Sequence, residues 1–209
     1  MDKIFKCGFN DYTNVTVGGN FTNESSYIIG YWEAGDILVD KAITLNHPLN
    51  ARLFFPICYN YRQFIELCLK QLILDTEEIY CNCKLLNTQR KDSTQVFSEQ
   101  INKTHNIETL LHWLINILNC ITDEKMDKNI IRAILEYHQM DTTGQKFRYP
   151  VSTKNIAHFE SRKNFDLKSI KDGINAVGNY LMGVDAYLYE FGNFIKVHIT
   201  EMEDIYGGY

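Results

Sequence analysis

"FFPICYNYRQFIELCLKQLI" (54–73) is apolar at nearly every position, apart from a few amides and one line of charges. Arg62, Glu66 and Lys70 stand four residues apart, so on a helix they stack along one face. A helix apolar around most of its circumference belongs at the centre of a bundle. The stretch therefore predicts a central helix from about Leu53 to Leu74, with Pro56 in its first turn, where the missing N–H costs nothing. In open water each pair on the charged line would contribute only about 0.3–0.5 kcal/mol. Amid so many apolar neighbours, charges persist when they are paired or when they hold a ligand. Two readings follow: an internal ion-pair ladder that sets helix register, or the lining of a groove.

Helical periodicity extends outward from this segment. "SYIIGYWEAGDILVDKAI" (26–43) carries apolar residues at 28, 29, 32, 38, 39 and 42, and the turn "NHPLN" (46–50) follows it. "HNIETLLHWLINILNCI" (105–121) and "KNIIRAILEYH" (128–138) predict two more helices. The last is the longest: Leu167, Ile170, Ile174, Val177, Leu181, Val184, Leu188 and Phe191 alternate spacings of three and four, with Asp166 as N-cap. That seam suits the buried face of a bundle helix, or a coiled-coil contact with a second copy. "KFRYPV" and "IAHFE" predict a small β-hairpin insertion over 146–160, with Pro150 on an edge strand, and "NFIKVHIT" (193–200) reads as a closing strand. Residues 1–25 read as an irregular N-terminal segment, and 75–104 fit no single period. No repeat or domain boundary shows. The expected architecture is one domain over 1–209, mainly α, an up-and-down helical bundle with a hairpin insertion.

The chain has 209 residues, 45% hydrophobic, enough for one substantial core. With no apolar run after the first lysines and none long enough to span a bilayer, it reads as cytoplasmic, without membrane contact. Six cysteines are too sparse for a disulfide scaffold and read as thiols. Cys81 and Cys83 form a close pair in an expected turn, but no partner stands at finger spacing, so neither a metal nor a cofactor is expected. Asn14, Asn20, Asn23 and Asn102 match the glycosylation pattern by chance in an Asn-rich chain.

A net charge of −5 argues against non-specific nucleic-acid binding by the whole surface. The charge is uneven, however. Lys146, Arg148, Lys154, Arg162, Lys163, Lys168 and Lys171 face only Glu160 and Asp166 in their segment, whereas the tail from Asp185 is acidic. Such a basic band is a candidate anion or RNA contact. "RAILEYH" adds Arg132 and His138. A neutral imidazole can take a proton from a ribose 2′-hydroxyl while a guanidinium stabilises charge on phosphate, without metal. The two lie six positions apart, about 600° of helix, and do not stack on one regular helix. Among the other histidines, His105 and His112 lie seven residues apart at the start of a predicted helix; His47, His158 and His198 have no evident partner.

"FFPICYNYRQFIELCLKQLI", then "KTHNIETLL", then "MDTTGQKFRYPV" ahead of "FDLKSI" and a long helix, resembles the HEPN-like helical proteins of prokaryotic defence and toxin systems. The resemblance covers about residues 53–191 and rests on the order of these motifs. It implies a helical bundle, often a homodimer, acting with a partner protein of the same defence system. In active members it implies a metal-independent endoribonuclease that uses an Arg and a His four to six residues apart, here Arg132 and His138. Ala133 stands where active members carry a polar residue, and the match precedes the expected hairpin rather than lying in the final helix. The alternative within the resemblance is a non-catalytic module that binds a nucleotide, an RNA or a protein. Arg62, Glu66, Lys70, His105 and Arg148 would then line its groove, with Tyr149 stacking on a base.

Overall fold

The computed structural model describes residues 15–19, 22–45, 51–93 and 95–206. They form α1 (Glu24–Thr44), α2 (Ala51–Leu85), a short 3-10 turn (Ile101–Lys103), α3 (Ile107–Ile121), α4 (Lys128–Met140) and α5 (Leu167–Tyr206). Helices α1, α3 and α5 all pack on α2, and α4 bridges α3 and α5. The helical bundle expected from the sequence is therefore built around the segment that is apolar on most faces. Tyr61, Phe64, Ile65, Leu69 and Ile73 of α2 have essentially no exposed surface. None of the described helices is long and apolar enough to cross a membrane.

Local chemistry sets the ends of the helices. Asn23 caps α1 through a capping box in which its side chain accepts from Ser26 N and Ser26 Oγ accepts from Asn23 N. Asn106 caps α3 and Asp127 caps α4. At the start of α5, Asp166 accepts from Lys168 N at 3.0 Å and from the Ser169 hydroxyl at 2.7 Å. Helix α2 ends on Asn87 in the left-handed region (φ 54), and Thr88 N reaches back to Cys83 O at 2.9 Å.

Three expectations are corrected. First, α2 begins at Ala51 and runs on to Leu85, so Pro56 lies in its second turn and "DTEEIYCNC" is helical. Buried Thr76, Ile79, Tyr80 and Cys83 carry the inner stripe through that segment. Cys81 and Cys83 are thus helical, one exposed and the other buried. Second, the hairpin over 146–160 is not formed. Only an isolated antiparallel bridge joins Val151 and Ala157 around a turn with Asn155 at φ 60. Pro150 has no N–H to extend the ladder, and no third strand exists among the described residues to support so short a pair. Third, "NFIKVHIT" is no strand: α5 continues through it for 40 residues in all. Ile195 lies seven residues after Leu188 and is buried like it, so the helical seam overrides the β-branched composition.

The α5 seam is used within the chain, where Ile174, Val177, Leu181 and Leu188 join the common core. A polar tie crosses the same region. Tyr61 donates to Asp36 at 2.6 Å, Asn175 donates to the other Asp36 oxygen at 3.2 Å, and Trp32 Nε1 donates to Asn175 at 2.6 Å. Two glycines let these helices approach, since a Cβ on Gly35 would collide with the Tyr61 ring and one on Gly178 with the Trp32 indole. Asn14, Asn20, His47 and the turn over 46–50 lie outside the described residues.

The glycines of α5 separate two effects. Gly173 and Gly183 have open space around them, so Gly173→Ala and Gly183→Ala should each raise stability by about 0.5–1 kcal/mol. Gly178→Ala should lower it by about 1–3 kcal/mol through the displaced indole. Urea denaturation followed by circular dichroism reads both signs.

Candidate functional site

The i, i+4 line of α2 extends inward as Phe54, Cys58, Arg62, Glu66 and Lys70. Arg62 is 2% exposed and Glu66 3%, so this line is a buried feature rather than a solvated ladder. Arg62 Nη1 donates to Glu66 Oε2 at 2.8 Å and Nη2 to the His105 carbonyl at 2.6 Å. Its Nε faces Asp141 Oδ2 at 3.8 Å, within ion-pair range but beyond hydrogen-bond range. Gly144 lies against the guanidinium. Its φ is +72, and a Cβ there would stand 3.0 Å from Arg62 Cζ.

This arrangement explains "MDTTGQKFRYPV". Asp141 turns the chain after α4 by accepting from Gln145 N at 3.0 Å and Lys146 N at 3.1 Å. Gly144 supplies both the left-handed backbone and the absence of a side chain. Phe147 is buried beside Phe54 and Tyr137. Arg148 folds back to donate from Nε to Gly144 O at 2.6 Å and lies 5.6 Å from the Tyr149 ring, which is 54% exposed.

Glu66 has a second role. Its Oε1 meets Lys70 Nζ at 3.0 Å and His105 Nδ1 at 2.7 Å. His105 precedes α3 rather than opening it, and its side chain is 68% exposed. A buried carboxylate thus holds one ring nitrogen, which favours the tautomer with the proton on Nδ1 and directs Nε2 outward. Arg62 fixes the carbonyl of the same residue. Burial alone would push the Glu66 carboxyl up. The hydrogen bonds from His105, Arg62 and Lys70 outweigh it and hold the carboxyl below its ordinary value.

Arg62, Glu66, Lys70 and His105 are therefore brought together, with Arg148 joined to them through Gly144. Arg132 and His138 are not brought into one contact. Arg132 is exposed and donates to Asn129 at 3.3 Å. His138 is 5% exposed, with Nε2 3.7 Å from Glu108 Oε2 and Nδ1 without a hydrogen-bond partner among the described residues. Burial holds the His138 imidazole below its usual pKa; Arg62 acts in the same direction, while Glu108 and Asp141 oppose it. Burial also pushes the thiols of Cys58 and Cys68 up to about 12, which leaves neither reactive. Among the described residues no group of three or more His, Cys, Asp or Glu could hold a metal ion.

Asp141 and Gly144 belong to the site although the sequence does not connect them to Arg62. The Asp-Thr-Thr-Gly string was the available signal, since Gly after a helix marks a left-handed turn. Compared with protein-family models, curated proteins and solved structures, the chain finds no match.

Two acid limbs should separate this network. The Glu66 contribution is complete above the ordinary Glu value of about 4.3 and is lost as pH falls from there through the lowered folded-state value. Burial lowers the folded-state His138 pKa, so below about pH 6.5 the unfolded chain binds its proton first and stability declines. Urea denaturation across pH 3–8 should show both falls, His138→Gln removing the upper one and Glu66→Gln the lower. At neutral pH, Glu66→Gln should cost about 3 kcal/mol by leaving buried Arg62 with only the more distant Asp141 carboxylate to balance its charge.

Proposed function

We propose that this chain is a HEPN-like helical module that takes a phosphate-bearing ligand, a nucleotide or an RNA segment, at the exposed edge of the Glu66 network. One observation supports this above all: a buried carboxylate fixes an exposed imidazole and a partly exposed ammonium side by side, His105 and Lys70. A purely internal ladder has no need to hold an exposed ring at both its carbonyl and its Nδ1. Lys70 would contact phosphate oxygens directly as a charge-assisted donor, with the outward edge of the His105 ring beside it. Arg148 would add a second cation and Tyr149 a stacking surface. The family likeness rests on the motif order alone and carries with it the defence or toxin setting, the homodimer and the partner protein.

Calorimetry with a panel of ribonucleoside monophosphates and triphosphates, and with a short unstructured RNA, tests the reading. Wild type should release heat with at least one of them. Lys70→Ala and His105→Ala should each weaken binding tenfold or more while remaining helical by circular dichroism, with a modestly lower melting temperature because each removes a donor to the Glu66 carboxylate. Wild-type heat unaltered in both variants would exclude this site.

A narrower reading is metal-independent RNA cleavage by Arg132 and His138. What favours it is that burial lowers the His138 pKa and so favours the neutral form a general base needs. Because the two residues occupy different sides of α4, one phosphate could meet both only if a second protomer supplied one of them. Incubating total RNA with wild type and with His138→Ala decides: cleavage confined to wild type supports this chemistry, and intact RNA in both leaves a binding module.

A further inference from the structure

A second feature lies at the other end of the α2 line. Phe54 and Phe55 of α2, with Phe159 and Phe165 from the segment that leads into α5, wall a cleft of about 410 Å³. Phe54 and Phe165 stack at 4.7 Å and 18° between their planes. Phe159 stands edge-on to Phe54, Phe55 and Phe165 at 6.2, 5.8 and 6.5 Å. These rings are not sealed in the core: Phe55 is 41% exposed and Phe165 37%. Cations surround them. Lys146 Nζ lies 4.9 Å from the Phe159 ring centre, and Arg162 and Lys163 form the outer wall.

We infer that this cleft is a base-stacking site for an unpaired nucleotide of a single-stranded nucleic acid, with Phe55, Phe159 and Phe165 receiving the base and Arg162 and Lys163 the adjoining phosphates. The inference rests on the phosphate-binding reading above for its ligand class and makes it more specific: a strand rather than a free nucleotide. The partly exposed rings at the cleft mouth, Phe55 at 41% and Phe165 at 37%, suit a flat π-system, and the cations on the rim select an anion that carries it. Duplex bases are already stacked on one another and have no free face to offer. The size of the cleft lies in the range of small-molecule sites, so it takes a single nucleotide unit. Stacking of one base on an aromatic side chain is worth about 1–3 kcal/mol, and the rim cations make the binding depend on salt. Continuity with the first site follows from the helix: Phe54 shares the i, i+4 line of Arg62, Glu66 and Lys70, and Phe54 also packs on Phe147, next to Arg148.

The test is fluorescence anisotropy of the full chain with a labelled twelve-nucleotide oligouridylate (an order of length set by the span of α2, about 1.5 Å per residue) beside an abasic phosphodiester of the same length. The abasic strand should bind at least fivefold more weakly. Phe55→Ala and Phe159→Ala should weaken oligouridylate binding fivefold or more and leave abasic binding unchanged. The double variant Arg162→Ala/Lys163→Ala should weaken both strands and lower the salt slope by about 1.4, at about 0.7 per phosphate contact of a single strand. A 5-iodouridine strand should photo-crosslink within the segment 159–165. Equal affinity for the base-bearing and abasic strands would overturn the inference, leaving a bare cationic patch. So would displacement of the strand by polyglutamate or by anionic lipid vesicles at equal charge, which would point to an acidic peptide or a membrane surface. Cleft variants that bind like wild type while His105→Ala loses affinity would refute the cleft and keep the Glu66 site. Loss in the cleft variants with none in Lys70→Ala or His105→Ala would do the reverse, and no binding of any strand would refute both.

Discussion

A guanidinium almost without water needs partners inside the fold, and Arg62 organises the structure through that demand. It gathers them from three separate segments: hydrogen-bond acceptors from Glu66 on its own helix and from the His105 carbonyl before α3, and the opposite charge of the Asp141 carboxylate after α4, at ion-pair range. Gly144 then closes over the face of the group. Replacing such a pair by apolar residues can be neutral in stability, whereas removing one partner is costly. What Arg62 provides is therefore placement. It determines where the entrance to α3 and the loop after α4 meet α2.

Placement at the centre reaches the surface through Glu66. One of its oxygens is engaged with Arg62 inside the bundle, and the other holds His105 and Lys70 at the edge. The same loop that covers Arg62 continues through Phe147 to Arg148 and Tyr149, so the charged line of α2 and the basic band after α4 are parts of one assembly. At the far end of that line the aromatic cluster of Phe54, Phe159 and Phe165 lies under Lys146. Core packing, ion pairing and the exposed chemistry thus share one helix face.

Much of this was legible in the sequence, and what was missed has physical causes. Periods of three and four located four of the five α-helices among the described residues, apolar density located α2, and the charged line of Arg62, Glu66 and Lys70 stood out because ions are costly among apolar residues. Local composition misled where tertiary packing decides. Val197, Ile199 and Thr200 have strand preferences, yet α5 carries them because the core stripe continues at Ile195. The bridge at Val151 and Ala157 has strand-like residues but no sheet to join. Asp141 and Gly144 escaped notice because their partner lies some eighty residues earlier, and no spacing rule reaches that far. Arg132 and His138 show how little nearness in sequence says about nearness in space: one side chain faces solvent and the other is enclosed beside Glu108.

Because a single uninterrupted helix bears both Phe54 and Lys70, the gap between the aromatic end and the charged end is set by helical rise alone, at about 24 Å for sixteen residues. Such a rod acts as a ruler. If both ends hold a strand as proposed, a short oligomer would touch one end or the other, and only a strand long enough to reach both would gain from the second contact without giving up the first. Affinity would then rise in a step with chain length, and the position of that step would measure α2 itself.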